Sequence, residues 1–410
     1  MRVSRRSLLL GGVVALPWWH SRLFAAGRTK KLPVAAVVSV YRENAHADVI
    51  VGKILEGYQQ DGGRGPELEL VALYTDQLPP NDMSRPLARK HGFRLARTID
   101  EVLTLGTTRL QVRGVLSIGE HGQYPDDPRT GQKMYPRKRF FDQIVQTFRR
   151  TGQVVPVFND KHLSYNWSNA WAMYRTARRM NIPMLAGSSI PLAWRVPPLE
   201  LERGVVLQRA VAHGYGGLEG YGFHALEGLQ CQVERRRGGE TGVRWVQAVG
   251  RKQLPKDWQW VLPLTEAAAR PARQGRTLSR LPAERARYYL IQYADGFQAA
   301  VAMNAAPVQE FAFAAQVQGE PRPRATWIAL QEGKPYLHFA YLVRAIEHMI
   351  KTGKPPYPVE RTLLTTGVLH AAMRSLAARG KRIDTPELVR VKYQPANWPH
   401  APGRPPAPRK

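Results

Sequence analysis

The sequence contains a single cysteine, Cys231, among its 410 residues. One cysteine excludes an intramolecular disulfide and any metal site built from several thiolates. Apolar residues make up 43% of the chain, but no run of them approaches the about 20 residues that a membrane-spanning helix needs. The sequence therefore predicts a folded protein with an ample hydrophobic core, no disulfide and no integral membrane span.

Acidic residues are scarce, with 32 Asp and Glu against 60 Lys and Arg, so the net charge is +28. Such an excess is typical of nucleic-acid-binding proteins. The basic residues are scattered, however, and their densest short runs lie at 137–139 and 235–237. No zinc-finger spacing, basic zipper or aromatic RNA-binding signature accompanies them. We therefore expect an arginine-rich solvated surface and no nucleic-acid partner, with attraction to acidic polymers or an anionic membrane surface as the open alternative.

The N-terminus has the pattern of an export signal. Arg5 and Arg6 precede an apolar run at 8–19, and small residues follow at 25–27. A charged flank, a short apolar segment and small residues are typical of a cleavable signal peptide, and the arginine pair indicates the twin-arginine route. Residues 1–30 are thus predicted to be a twin-arginine signal peptide of a periplasmic or otherwise exported protein. The alternative is a buried first helix.

Strands and helices alternate over residues 31–195. Apolar runs predict buried strands at 34–40, 68–74, 94–96, 114–118, 154–158 and 183–186, and helical patterns occupy 48–58, 84–91, 98–101, 139–151 and 167–180. This alternation predicts an α/β domain with a Rossmann-like, doubly wound parallel sheet. Because its crossovers are right-handed, all strand carboxyl ends meet at one edge, where ligands bind.

The pattern changes after Pro197 and Pro198. Strands are predicted at 205–213, 244–249, 288–293, 298–303, 310–317 and 326–330, with a helix at 222–235. Residues 196–393 are therefore predicted to form an α+β domain with a mostly antiparallel, open-faced sheet. The late helices within 338–380 are candidates for packing back onto the first domain. Residues 394–410 are rich in Pro and basic residues, and we expect a loose tail.

Five short stretches resemble, in the same order, motifs of the glucose–fructose oxidoreductase/inositol dehydrogenase (Gfo/Idh/MocA) family. They are the helix–glycine–strand–helix segment 84–103, the strand and turn 114–121, the turn 159–163 at the place of the family's E-K-P-L, the helix start 222–226 resembling G-x-H-x-x-D, and the C-terminal helix 371–381. The resemblance implies an oxidoreductase that binds NAD or NADP and acts on a sugar, a cyclitol or a related polyol. It also implies a homo-oligomer formed through the open sheet face.

The resemblance implies a reaction centre at Lys161 and His224. In the family, a lysine, a histidine and an aspartate move the hydroxyl proton while hydride goes to the nicotinamide. Gly220 occupies the position of that aspartate here, and Glu219 and Glu227 are the adjacent candidates for a displaced carboxylate. Since imidazole titrates near neutrality and its neighbours tune it, such a set is suited to proton transfer.

The cofactor turn departs from the family's pattern. The stretch 39–45 lacks both leading glycines of G-x-G-x-x-G, which let the backbone approach a pyrophosphate. Tyr41 is expected to place its ring where the diphosphate lies, and Arg42 could hold a phosphate instead. Asp76, just after the second strand, is a candidate for binding ribose hydroxyls. The residues predicted to contact a cofactor are Ser39, Tyr41, Arg42, Asp76, Glu120 and His121.

Polar residues also follow two neighbouring strands at the ligand-binding edge. Glu120, His121, Asp160 and His162 lie there beside Lys161, and Asp160 joins the predicted catalytic set. Two histidines and two carboxylates suit a divalent metal, although the spacing is not a known metal signature. Three hypotheses follow: a nicotinamide-dependent oxidoreductase, a carbohydrate-binding protein that has lost the cofactor, and an enzyme using these four residues with a metal or by acid–base chemistry.

Overall fold

The computed structural model describes residues 31–273 and 283–409. The predicted signal peptide, 1–30, lies outside the described residues. Among the helices that the structure describes, none combines the length and apolar character needed to cross a membrane.

The first domain is built on a six-stranded parallel sheet. Its strands are β1 (Leu32–Val38), β2 (Leu68–Thr75), β3 (Arg94–Leu95), β4 (Gly114–Ile118), β5 (Val157–Asp160) and β6 (Met184–Gly187), in the order β3-β2-β1-β4-β5-β6. The helices are α1 (His46–Glu56), α2 (Ser84–His91), α3 (Ile99–Thr104), α4 (Arg137–Thr151) and α5 (Trp167–Arg179). The predicted Rossmann-like fold is confirmed. The strand order reverses between β1 and β4, which is where this architecture opens its ligand crevice.

Local sequence explains these elements. Every residue of β4 is buried, as is most of β1, because helices cover both faces of the sheet. Helix α2 ends at Gly92, whose φ of +77° is the left-handed conformation that stops a helix. Helix α5 begins where the Asn166 side chain accepts a hydrogen bond from the Asn169 N–H at 2.9 Å.

The second domain contains an eight-stranded sheet. Its strands are β7 (Trp194–Val196), β8 (Leu207–Gly214), β9 (Val243–Gly250), β10 (Arg287–Tyr293), β11 (Gln298–Met303), β12 (Phe311–Val317), β13 (Arg324–Ala329) and β14 (Ile383–Asp384), in the order β14-β9-β10-β11-β8-β12-β13-β7. All neighbours are antiparallel except β8 and β11. The helices are α6 (Gly220–Val233), α7 (Val261–Ala269), α8 (His338–Thr352) and α9 (Glu360–Ala377).

The two domains share one hydrophobic core. Helices α6 and α9 pack on the second sheet, α9 also contacts α5, and α8 packs on α1 of the first domain. A buried ion pair joins α9 to the end of α6, with Arg361 Nε 2.9 Å from a Glu234 carboxylate oxygen. The α6 carboxylate Glu227 accepts the Ser188 N–H of the first domain at 2.6 Å. These contacts fix the start of α6 relative to the parallel sheet.

Three features differ from the sequence-based expectations. Helix α7 was not predicted, and it packs on the face of the second sheet opposite α6. Strand β7 starts at Trp194, so the second sheet begins inside the segment assigned to the first domain. The tail is irregular but packed, because the buried Ala401 donates its N–H to Leu192 and Arg409 donates to Lys334, each at 2.9 Å.

Candidate functional site

A cavity of about 280 Å³ lies between the two domains, at the carboxyl edge of the parallel sheet. Lys161, which follows β5, and His224, in the first turns of α6, both line it. The structure thus brings together the lysine and histidine that the sequence pointed to. Its other lining residues include His46, His121, Ser189, Tyr221, Phe311 and His338.

Lys161 is held in place by its backbone and by its charge. Its φ is +60°, and its N–H donates to the Gly187 carbonyl at 3.0 Å, which turns the chain sharply after β5. Its Nζ lies 2.9 Å from Glu120 Oε1, and the other oxygen of Glu120 accepts a hydrogen bond from Arg137. Although burial opposes ionisation, Lys161 and Arg137 hold the pKa of Glu120 well below its usual range. The three side chains form a buried charge cluster against the cavity wall.

Glu120 supplies the carboxylate that Gly220 lacks. A Cβ added at Gly220 would lie 3.6 Å from Lys161 Nζ, so a side chain at this position would meet the ammonium directly. Glu120 approaches the same ammonium from β4 instead. The sequence predicted that Glu120 contacts a cofactor. In the structure its carboxylate forms an ion pair with the Lys161 ammonium, because a buried ammonium requires a counter-charge.

Glu219 and Glu227, the two carboxylates proposed from the sequence, contact groups other than Lys161. Glu219 accepts the Lys133 N–H at 2.8 Å and lies 3.7 Å from His162 Nε2. Glu227 is buried against the Ser188 N–H, and burial raises its pKa to about 7. Neither has Lys161 as an ion-pair partner or lines the cavity, because the helical turn of α6 directs them to other neighbours.

A second hydrogen-bonded pair, His46 and Asp160, lies at the cavity and was not predicted as a pair. His46 Nδ1 lies 2.7 Å from Asp160 Oδ2, and Asp160 is fully buried. Asp160 therefore reaches the cavity only through His46, whose side chain is 12% exposed. The position of His46 in the sequence could have identified it as a site residue. It is the first residue of α1, directly after the turn that follows β1, and so lies at the ligand-binding edge of the sheet.

Three further histidines surround the cavity with unused ring nitrogens. Nδ1 of His224, Nε2 of His121 and Nδ1 of His338 are buried and have no hydrogen-bond partner within the described parts of the chain. Burial lowers the pKa of His121 to about 4 and that of His338 to about 3, and it lowers that of His224 well below the usual range. At neutral pH each ring is uncharged and carries one donor and one acceptor nitrogen. His338 was not predicted from the sequence.

Aromatic rings form the side of the cavity contributed by the second domain. Tyr221 stacks on Phe311 with ring centroids 6.0 Å apart, and Tyr221 remains 41% exposed. An exposed ring beside hydrogen-bonding groups suits the apolar face of a sugar.

The cofactor turn is more enclosed than expected. Tyr41 does not project into the place of a diphosphate, because its side chain is fully buried in the core formed by β1, α1 and α8. Burial of the aromatic surface stabilises this inward position. Ser39 is also buried, and its hydroxyl donates to the Glu120 carbonyl. Of the three turn residues predicted to contact a cofactor, Ser39, Tyr41 and Arg42, only Arg42 is exposed.

Asp76 is fully engaged by neighbouring side chains. It accepts hydrogen bonds from Tyr74 at 2.9 Å and Tyr124 at 2.7 Å, and it pairs with Arg139 at 2.6 Å. Tyr124 belongs to the loop that follows β4, so this loop reaches Asp76 at the end of β2. The position expected to bind ribose hydroxyls is therefore filled by the protein.

The same loop closes the crevice above β1. Gln77 and Gln123 exchange two hydrogen bonds, at 2.8 and 2.9 Å, across the end of β1. At Gly122, an added Cβ would lie 2.8 Å from Gln77 Oε1 and 3.2 Å from Val40 Cγ1. A dinucleotide in this architecture crosses the sheet edge at this point. The residues present do not fit a nicotinamide dinucleotide in that position.

Three of the four residues proposed for a metal, Glu120, Asp160 and His162, are already paired with other side chains. Arg137 contacts both Glu120 and His162, the latter at 3.1 Å, and Asp160 is paired with His46. Among the residues that the structure describes, no three His, Cys, Asp or Glu side chains are grouped to hold a metal ion. The geometry favours acid–base use of this edge over metal binding.

No protein-family model matches the sequence, and no curated protein matches it. The fold is similar to that of solved structures. GenD2 from gentamicin A biosynthesis, in complex with NAD, is 16% identical with a TM-score of 0.55, covering 91% of this chain and 99% of that one. Apo scyllo-inositol dehydrogenase from Lactobacillus casei is 10% identical with a TM-score of 0.53, covering 87% and 99%. A myo-inositol dehydrogenase from Corynebacterium glutamicum is 13% identical with a TM-score of 0.51, covering 86% and 98%. The chain thus shares the two-domain fold of these structures.

The histidines make stability depend on pH. The pKa of His121 is about 4 in the folded chain, through burial and the positive charges of His46, Lys161 and Arg42 opposed by Glu120, against about 6.5 when unfolded. As pH falls from about 6.5 to 4, the unfolded state takes up the proton first, so stability is lost in that window.

We expect His121→Asn to reduce this pH dependence by up to about 3 kcal/mol, because asparagine tolerates the φ of +68° and does not titrate. Urea unfolding of both proteins between pH 4 and 8 measures the difference. The two curves should run parallel above pH 7, and parallel curves over the whole range would contradict the assignment.

Proposed function

We propose that this protein binds a sugar, a cyclitol or a related polyol in the cavity shared by Lys161 and His224, and that it moves protons of the ligand's hydroxyl groups there. The observation that supports this most is that a lysine of the first domain and a histidine of the second line one cavity. Two of the similar structures are inositol dehydrogenases, which act on a cyclitol.

The cavity suits a small hydroxylated ligand in size and chemistry. Its volume of about 280 Å³ is near the lower end of small-molecule sites, roughly 300 Å³. The Lys161 ammonium and the neutral rings of His121, His224 and His338 supply both donors and acceptors, as hydroxyl groups require. Tyr221 offers an exposed ring face at the same wall.

We further propose that this binding needs no resident nicotinamide. The Gln77–Gln123 pair and the Tyr124–Asp76 hydrogen bond occupy the crevice where a dinucleotide would lie. A nicotinamide-dependent polyol oxidoreductase is the second candidate. The position of Lys161 beside His224 and the likeness to NAD-bound GenD2 favour it.

Nucleotide binding separates these two candidates. We expect NAD and NADP at about 1 mM to raise the melting temperature by less than about 1 °C, because a ligand that does not bind the folded state cannot stabilise it. Differential scanning fluorimetry of the full chain, together with mass spectrometry of the purified protein, tests this. A shift of several degrees, or nicotinamide that co-purifies, would favour the dehydrogenase.

Loss of either central residue should weaken polyol binding. We expect Lys161→Ala to weaken the binding of inositols or monosaccharides roughly 10- to 100-fold, since it removes a charge-assisted hydrogen bond worth about 1.5–3 kcal/mol. We expect His224→Ala to weaken it by up to roughly tenfold, since the neutral ring makes a hydrogen bond worth about 0.5–1.5 kcal/mol. Lys161→Ala should leave the fold intact, because Arg137 still neutralises Glu120.

Isothermal titration calorimetry against an inositol and monosaccharide panel measures these affinities, and far-UV circular dichroism checks the fold. His91→Gln is the matched control, since His91 ends α2 outside the cavity. Unchanged affinities in both cavity variants would show that the ligand lies elsewhere.

We also propose that the protein is exported by the twin-arginine route, which carries folded proteins. The pair Arg5-Arg6 before the apolar run supports this. We expect the full chain to be processed and recovered from the periplasm of a host that has this pathway, and the double variant Arg5→Lys, Arg6→Lys to stay in the cytoplasm. Cell fractionation with immunoblotting reads the outcome, and equal export of both would contradict it.

A further inference from the structure

We propose that the cavity catalyses proton transfer at carbon, isomerising or epimerising a 2-hydroxy aldehyde or 2-hydroxy ketone such as an aldose, a ketose or a keto-cyclitol. His46 acts as the base toward carbon, and Lys161 acts as the acid toward the carbonyl oxygen. This inference rests on the proposed polyol site and adds to it a reaction and a base.

His46 has the arrangement of a general base. The buried Asp160 carboxylate holds His46 Nδ1 at 2.7 Å, so Nε2 is the nitrogen available for proton transfer on the cavity side. A carboxylate in this position fixes the tautomer and stabilises the imidazolium that forms when Nε2 accepts a proton. Asp160 is therefore a positioning residue that acts through His46.

Lys161 has the arrangement of an oxyanion-stabilising acid. Its ammonium lines the same cavity as His46 and is ion-paired at 2.9 Å with Glu120. Glu120 is itself held by Arg137, so the lysine is oriented by a buried network. A preorganised positive charge at low dielectric stabilises the enolate oxygen more strongly than water does. The neutral ring of His224 lines the same cavity.

The reaction balances without an external oxidant. His46 Nε2 removes the proton from the hydroxyl-bearing carbon, the C–H electron pair forms the C=C bond, and the carbonyl π pair moves to oxygen, which takes a proton from Lys161. The neighbouring hydroxyl then returns a proton to Lys161 and becomes the new carbonyl, while the former carbonyl carbon takes the proton from His46. One carbon is oxidised as its neighbour is reduced, so the reaction needs no nicotinamide cofactor. If the enediol turns over in the cavity before His46 returns the proton to the original carbon, the proton arrives on the other face and the product is the epimer.

The experiment is solvent exchange in D₂O with the full chain. The probes are D-glucose, D-fructose and 2-keto-myo-inositol, with myo-inositol as the compound without a carbonyl. Proton NMR and mass spectrometry follow deuterium at the carbon next to the carbonyl, and calorimetry measures binding of each probe separately. We expect exchange above the protein-free rate for at least one carbonyl probe and none for myo-inositol.

Two variants test the role of His46. We expect His46→Gln to bind the exchanging probe within about threefold of the wild-type affinity and to lose exchange by about 100-fold or more, the usual contribution of a general base. Asp160→Asn should bind equally and also lose exchange by about 100-fold or more, since it removes both the control of the tautomer and the charge that stabilises the imidazolium. His91→Gln should exchange at the wild-type rate. Melting temperatures confirm that each variant folds.

The outcomes separate this inference from the site on which it rests. If no probe binds the wild-type protein, the proposed polyol site and the proposed reaction are both wrong. If probes bind without exchange, the polyol site stands and the isomerase is overturned. If His46→Gln and Asp160→Asn both exchange at the wild-type rate, a different group is the base and the assignment of His46 is overturned.

Discussion

A carboxylate buried between two cations is the constraint on which the site depends. Lys161 and Arg137 approach the two oxygens of Glu120 and stabilise its ionised form in the interior, and Glu120 in turn balances the charge of both buried cations. The three residues come from the end of β4, the end of β5 and the start of α4, so their mutual attraction fixes three loops at once. The position of Lys161 opposite His224 follows from this network.

The loop that carries Glu120 also decides which ligand the fold can accept. Beyond Glu120 it crosses the end of β1, where Gln123 pairs with Gln77 and Tyr124 covers Asp76. The segment that gives the cavity its carboxylate thereby fills the crevice in which a dinucleotide would lie. The ion pair with Lys161 and the contacts across the end of β1 are therefore two effects of one loop.

Prediction from sequence succeeded where short-range patterns decide the outcome. Buried runs such as 114–118 and the glycine after α2 located strands and helix ends nearly to the residue, because burial on both faces and left-handed φ leave few alternatives. It failed where the partner is distant in sequence. Glu219 and Glu227 are near His224 along the chain, yet the carboxylate that reaches Lys161 is Glu120, supplied by another strand.

The sequence by itself determined the parallel sheet, the second sheet and the edge at which Lys161 must lie, since periodicity and right-handed crossovers are local or topological rules. Only the tertiary structure decided that Tyr41 turns into the core, that His46 pairs with Asp160, and that His338 closes the far wall of the cavity. Side-chain direction and long-range ion pairing decide these features. They depend on which surfaces meet after the chain has folded, and no spacing along the sequence encodes that.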